Sequence, residues 1–191
     1  MAKKVRVLIA DDESIIRMGL RVMLRDLGYE VAGTARDGVE ALDMARQTKP
    51  DLAILDIKMP RMDGLEAAEA ISRERPIPII ILTAFSDREY VERAKSTAVH
   101  AYLIKPVKEE KLVPTIELAR AHFLEQQTLA QEVQTLEEAL QARELLEQAK
   151  RLLMEKFNIG ETDAFQRIHR QARDSRRSMR SVAQEIINRH G

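Results

Sequence analysis

Five apolar runs of strand length alternate with helical patterns over the first 120 residues, and this alternation limits the fold more than any other feature. The runs are Val5–Ala10, Glu30–Thr34, Leu52–Leu55, Ile77–Leu82 and Ala101–Ile104. Between them, apolar spacing predicts helices over Ile15–Leu27, Val39–Thr48, Leu65–Arg73 and Arg88–Thr97, and a fifth begins near Glu109. Strands that alternate with short helices predict βαβ units and a parallel sheet covered on both faces. The expected class is therefore α/β, a doubly wound (βα)5 block over residues 1–120. Turn residues mark the joints at Leu27-Gly28-Tyr29, Asp37-Gly38, Lys49-Pro50-Asp51, Asp63-Gly64 and Arg75-Pro76. Pro114 predicts a kink in the fifth helix or a short first turn.

From residue 115 to 157 the pattern is helical throughout. Leu129, Val133, Leu136 and Leu140 follow a 4-3-4 spacing that Arg143 interrupts. The spacing fits the seam of a coiled-coil dimer; the alternative is one helix packed on its own domain. The expected linker is residues 121–142. Residues 143–191 then read as a small three-helix unit. Asn158-Ile159-Gly160 breaks the long helix, and Glu161 and Asp163 place acids in the first turn of the next, where the helix dipole favours them. Ala164, Phe165, Ile168 and Ala172 form an apolar stripe, which places Phe165 in the core. Asp174–Arg177 reads as a turn, Ser178 as an N-cap, and Val182, Ala183, Ile186 and Ile187 line the last helix. Leu145, Leu146, Ala149, Leu152 and Leu153 are expected to complete that core.

The charges balance overall, 31 against 31, but not along the chain. Residues 164–191 hold seven arginines against Asp174 and Glu185, an excess of five positive charges, so the remainder carries five net negative charges. That asymmetry suits a phosphate-bearing partner at the C-terminal end, and it also suits a solvated helical face. The chain has no cysteine, which excludes disulfides and thiolate chemistry. The start, MAKKVRVLIADDE, has too short an apolar run for a signal peptide, and no run is long enough to span a membrane. A soluble, cytoplasmic protein is the expectation.

One carboxylate stands out. Asp56 closes the buried-looking run LAILD, where a charge is costly unless paired or metal-bound. The first run ends in Asp11-Asp12. In parallel sheets, ligands bind at the carboxyl edge near the point where strand order reverses. If the first and third strands are neighbours, three carboxylates converge there and repel one another unless a cation is present. An all-oxygen set suits Mg2+. The fourth strand adds the hydroxyl of Thr83, and the fifth ends in Lys105-Pro106. Acids, a hydroxyl, a lysine and a hard cation together make a site for a phosphoryl group.

The spacing is specific. Asp11-Asp12, D-x-K-M-P-x-x-D-G at 56–64, Thr83-Ala84 and Y-L-I-K-P at 102–106 resemble the receiver domain of two-component response regulators over residues 5–118. The resemblance implies that Asp56 is the phosphoacceptor. It implies that Asp12 and Asp56 ligate Mg2+, with Asp11 acting through water and the backbone carbonyl of Lys58 as a further ligand. Thr83 and Lys105 are implied to hold phosphoryl oxygens, Tyr102 to be an aromatic switch, and the Lys105-Pro106 peptide to be cis. None of His100, His122, His169 and His190 sits in a kinase-like context, so the donor is expected to be a separate sensor histidine kinase. Three acids and Mg2+ also suit a phosphohydrolase, but no substrate-pocket signature accompanies them, and the chain is expected not to be an enzyme.

For the tail, charge does not separate a helix-turn-helix DNA reader from an RNA-binding unit, since both polymers present phosphates. The pattern of Glu147-Gln148-Ala149-Lys150 with Leu152-Leu153-Met154, then Ile159-Gly160-Glu161, Ala164-Phe165, Ile168, Arg170, Ala172, Met179 and Val182-Ala183 resembles the ANTAR domain over roughly 139–191. Arg151 stands where that family usually has Gly, and Gly160 replaces its usual Ser or Thr cap. The resemblance implies binding to two small hairpins in a nascent mRNA leader, so that transcribing RNA polymerase, affected only indirectly, reads through a terminator. The candidate RNA contacts are Lys150, Arg151, Arg167, Arg170, Arg173, Arg176, Arg177 and Arg180. A phosphorylated homodimer would present two tails to two hairpins. The alternative is a response regulator whose C-terminal helices bind DNA.

Overall fold

The computed structural model describes residues 4–84 and 98–190. The helix expected over Arg88–Thr97 lies outside the described residues. Two compact units divide between Gln126 and Gln127.

The first unit is a five-stranded parallel sheet: β1 (Arg6–Ala10), β2 (Glu30–Ala35), β3 (Leu52–Asp56), β4 (Ile79–Thr83) and β5 (Ala101–Ile104), in the order 2-1-3-4-5. Helices α1 (Ser14–Asp26), α2 (Gly38–Thr48) and α3 (Gly64–Glu74) follow the first three strands. Side chains alternate across the sheet, as a pleated strand requires. Leu8, Ala10, Leu55 and Ile81 face one core with Ala41, Leu65 and Ile71. Val7, Ile9, Ile54 and Ile80 face the other with Leu20, Leu24, Leu112 and Ile116. All five residues of β3 are buried, as are all five of β4, which is why these runs show no polar alternation.

The fifth helix and the linker are one element, α4 (Glu109–Phe157), 49 residues long. Of the kink or short first turn expected at Pro114, the helix shows no break there: the proline lies inside it. Pro114 and Glu110 are both exposed, so water can take the Glu110 carbonyl that lost its donor. Among the described residues, no helix is long and apolar enough to cross a membrane.

The second unit packs the end of α4 against α5 (Glu161–Ser175) and α6 (Met179–His190). Ala149, Leu153, Ala164, Ile168, Ala172, Val182, Ala183 and Ile186 form its core. Leu145 and Leu146 pack on it, whereas Leu152 is half-buried outside that cluster. Phe165 is not in the core: it is 42% exposed. Ser178 caps α6 through Oγ, which accepts from the Ser181 amide at 3.1 Å.

Candidate active site and basic helical unit

The register of the sheet builds the first site. Ala10 lies level with Leu55, so Asp11 and Asp56 emerge side by side at the carboxyl edge. Thr83 pairs with Ile104, which brings Lys105 to the same edge. Ligand oxygens of Asp11, Asp12 and Asp56 lie within 4.8 Å of one another. Asp11 and Asp56 are buried and Asp12 is exposed. The Lys105 Nζ bridges the two buried acids, 2.9 Å from Asp11 Oδ2 and 2.8 Å from Asp56 Oδ1. The Lys105–Pro106 peptide is cis.

Burial pushes the Asp56 carboxyl up to about 6; the Lys105 ammonium opposes the rise, and Asp11 and Asp12 add to it. Burial also works to lower the ammonium of Lys105, but its bonds to Asp11 and Asp56 outweigh this and leave it above its ordinary value. Thr83 is buried and its Oγ1 donates to the Ala84 carbonyl at 3.0 Å. Tyr102 is half-buried against the core on the α2–α3 side, and burial raises its phenol.

The acids fit a hard cation. Asp11 Oδ2 is fully buried and, although Lys105 balances its charge, it accepts no aligned hydrogen bond among the described residues. So buried an oxygen, served by Lys105 alone, has room in its coordination for a divalent ion, and the three-carboxylate set matches oxygen-binding Mg2+. Lys58, the source of the expected carbonyl ligand, lies two residues beyond Asp56 in the β3–α3 loop.

Three supporting residues escaped the sequence reading. Arg17 Nη1 donates to the backbone carbonyls of Asp11 and Asp12, at 2.6 and 3.0 Å, and so fixes the acid-bearing loop. Asp37, 2% exposed, accepts from the Glu40 amide at 3.0 Å and pairs with Arg61 of the β3–α3 loop. Burial works to raise the Asp37 carboxyl, but Arg61 and the backbone donors hold it below its ordinary value. The Asp37-Gly38 pair was legible only as a turn, and nothing in the sequence pointed to Arg61 as its partner.

In the second unit the eight expected RNA contacts divide. Lys150 is 8% exposed and its Nζ is held between Glu147 at 2.9 Å and Glu161 at 2.6 Å. It fastens the long helix to the start of α5, which corrects its reading as a phosphate contact. Arg167 lies over the Phe157 ring, 4.1 Å from its centroid. Arg177 pairs with Glu185 at 2.5 Å, and Arg180 donates to Gln141 at 3.1 Å. Arg173 meets only its neighbour Asp174, at 3.3 Å, among the described residues. Arg151, Arg170 and Arg176 are exposed.

Comparisons with known proteins agree with both units. The family model described as "Response regulator receiver domain" matches residues 7–117, and the "ANTAR domain" model matches residues 134–187. The chain is 50% identical over 186 residues to "Transcriptional regulatory protein PdtaR" of Mycobacterium tuberculosis, covering 97% of this chain and 91% of that one. Among solved structures it resembles the signal receiver domain of a modulated diguanylate cyclase from Desulfovibrio desulfuricans G20, with a TM-score of 0.61 and 34% identity, covering 65% of this chain and 99% of that one. It also resembles Vibrio cholerae chemotaxis protein CheY4, with a TM-score of 0.57 and 35% identity, covering 60% of this chain and 98% of that one. Sheet order, the bridged acid cluster and both family matches lead to one conclusion: the chain belongs to the response regulators that join a receiver domain to an ANTAR domain.

Proposed function

We propose that this protein is a cytoplasmic, phosphorylation-gated antiterminator that binds paired hairpins in nascent mRNA leaders. An Asp56 carboxylate oxygen attacks the phosphorus of a phosphohistidine on a sensor histidine kinase. The P–N bond breaks, its electron pair stays with the imidazole, and an acyl phosphate forms on Asp56. Mg2+ held by Asp11, Asp12, Asp56 and the Lys58 carbonyl would offset charge on the phosphoryl oxygens. Lys105, already between Asp11 and Asp56, follows one phosphoryl oxygen. Thr83 exchanges the Ala84 carbonyl for another, and Tyr102 turns inward behind it. Ile15, Met18 and Val22, exposed on α1 beside the acids, offer the kinase an apolar surface.

Phosphorylation shifts the population towards a state that pairs two chains and presents two RNA-binding units. The seam residues Leu129, Val133, Leu136 and Leu140 are 54–70% exposed, which suits a second copy of the same helix. Two linked units on a homodimer suit two hairpins, because the second contact is made at high effective concentration. Arg151, Arg167, Arg170, Arg173, Arg176, Arg177 and Arg180 serve the phosphates.

The observation that carries the reading is the acid cluster bridged by Lys105. The test is capture of nucleic acid from lysate by the full chain with Mg2+, with and without a phosphoryl mimic. Two-hairpin leaders enriched only with the mimic are the expected result, and Asp56→Ala should abolish that dependence while leaving the fold intact. Enriched promoter DNA would overturn the RNA assignment. An unchanged response in Asp56→Ala would overturn the phosphoacceptor.

A further inference from the structure

The second unit exposes two phenylalanines, and they differ in what covers them. Phe157 carries Arg167 over its ring face, and His190 meets it edge-on at 6.1 Å and 79°. Phe165, 42% exposed, has as its ring partner among the described residues the imidazole of His169, with ring centroids 6.3 Å apart and planes 14° from parallel. The core of the unit closes without Phe165.

Its neighbours on the helix surface are also planar. Phe165, His169 and Arg173 lie four residues apart on α5 and so share one face, next to the buried stripe of Ala164, Ile168 and Ala172. His169 is exposed, and the Arg173 side chain is 72% exposed. An aromatic ring, an imidazole and a guanidinium in one row do not suit a protein helix, which would want a continuous apolar strip. They do suit a base with its phosphate: rings stack on the base and the guanidinium meets the anion. The local excess of five positive charges over residues 164–191 gives the same complementarity.

Resting on the RNA reading above, we propose that Phe165, His169 and Arg173 form a stacking site for one unpaired base of a hairpin loop. A paired base is excluded, because its faces are already covered in the stem. Loop bases are unstacked and can be splayed onto an aromatic platform. The contact is tolerant of base identity, since every base has a flat face, so this site adds affinity and selects loops over stems.

The test uses the full chain with the phosphoryl mimic, the leader RNA recovered in the capture experiment, and the same RNA with abasic loop positions. Phe165→Leu keeps an apolar side chain and a helix former but loses the flat face. It should weaken binding of the intact leader about tenfold to a hundredfold with an unchanged salt slope, because stacking releases no counterions. Phe165→Trp should restore binding. Arg173→Gln should instead flatten the salt dependence by about one phosphate contact. Abasic loops should bind wild type and Phe165→Leu alike. If Phe165→Leu binds the intact leader as wild type does, or loses as much affinity for the abasic RNA, the platform is wrong although RNA binding stands. If wild type recovers no leader RNA, the reading beneath the proposal fails.

Discussion

Asp56 sits where its own charge is unwelcome, and that has a measurable cost. Its folded pKa of about 6 lies above the ordinary 3.8, so the folded protein holds the proton more tightly than the unfolded chain. Its contribution to stability is therefore greatest below the ordinary value and falls as pH rises from about 4 to about 6. Above that window the ionised carboxylate costs the metal-free protein on the order of 1–3 kcal/mol. Asp56→Asn should accordingly melt higher than wild type at about pH 8 in chelator, by roughly that amount, which already includes the attraction to Lys105. The gap should close under acid and on adding Mg2+, which stabilises only the wild-type site strongly. A lower melting midpoint for Asp56→Asn in chelator would contradict this account. Other single residues show where a sequence stops being informative. Lys150 reads as a surface cation, yet Glu147 and Glu161 enclose it, and the second of these partners comes from another helix. Phe165 reads as core because it is apolar and adjoins Ala164, but one residue turns about 100° around a helix, which takes it off the buried stripe.

Among elements, the loop from β3 to α3 is the tightest. A side-chain carbon added at Gly64 would lie 2.0 Å from the Asp56 carbonyl oxygen, so the start of α3 presses on the backbone that carries Asp56. The Gly64 amide donates to the Ile57 carbonyl at 2.9 Å, and Asp63 caps α3 with Glu66 in a reciprocal box. Gly64→Ala should cost roughly 2–4 kcal/mol in chemical denaturation, because backbone rather than a flexible side chain has to move. A wild-type midpoint would show that the loop yields easily. The same loop shows why elements were legible when their joints were not. Strands and helices are written in apolar periodicity, and α2 and α3 begin within a residue of their expected starts. β4 starts at Ile79 rather than Ile77, since Pro78 lies between and cannot donate to a ladder. The Asp37–Arg61 tether joins two loops 24 residues apart, and no local pattern encodes such a pair. The acid cluster was legible because its residues end strands, where the sheet order alone brings them together.

For the whole molecule, the decisive stretch is the one without a core. Residues 124–141 of α4 are all exposed, and an isolated helix of that kind is marginal in water. The proposed second copy, packed along Leu129, Val133, Leu136 and Leu140, would supply the missing burial, worth about 1.5–3 kcal/mol for each side chain fully covered. Leu136→Lys should leave the phosphoryl chemistry of Asp56 unchanged, hold the phosphorylated protein monomeric in sedimentation, and lower leader affinity by about a hundredfold through lost avidity. Full dimerisation of that variant would place the interface elsewhere. The bare seam also bears on dosage. If the active species forms by mass action from two chains, then well below the dimerisation constant a doubling of protein gives about four times as much of it. Cells that vary the amount of this regulator, rather than its phosphorylation, would then change read-through more steeply than the protein level itself.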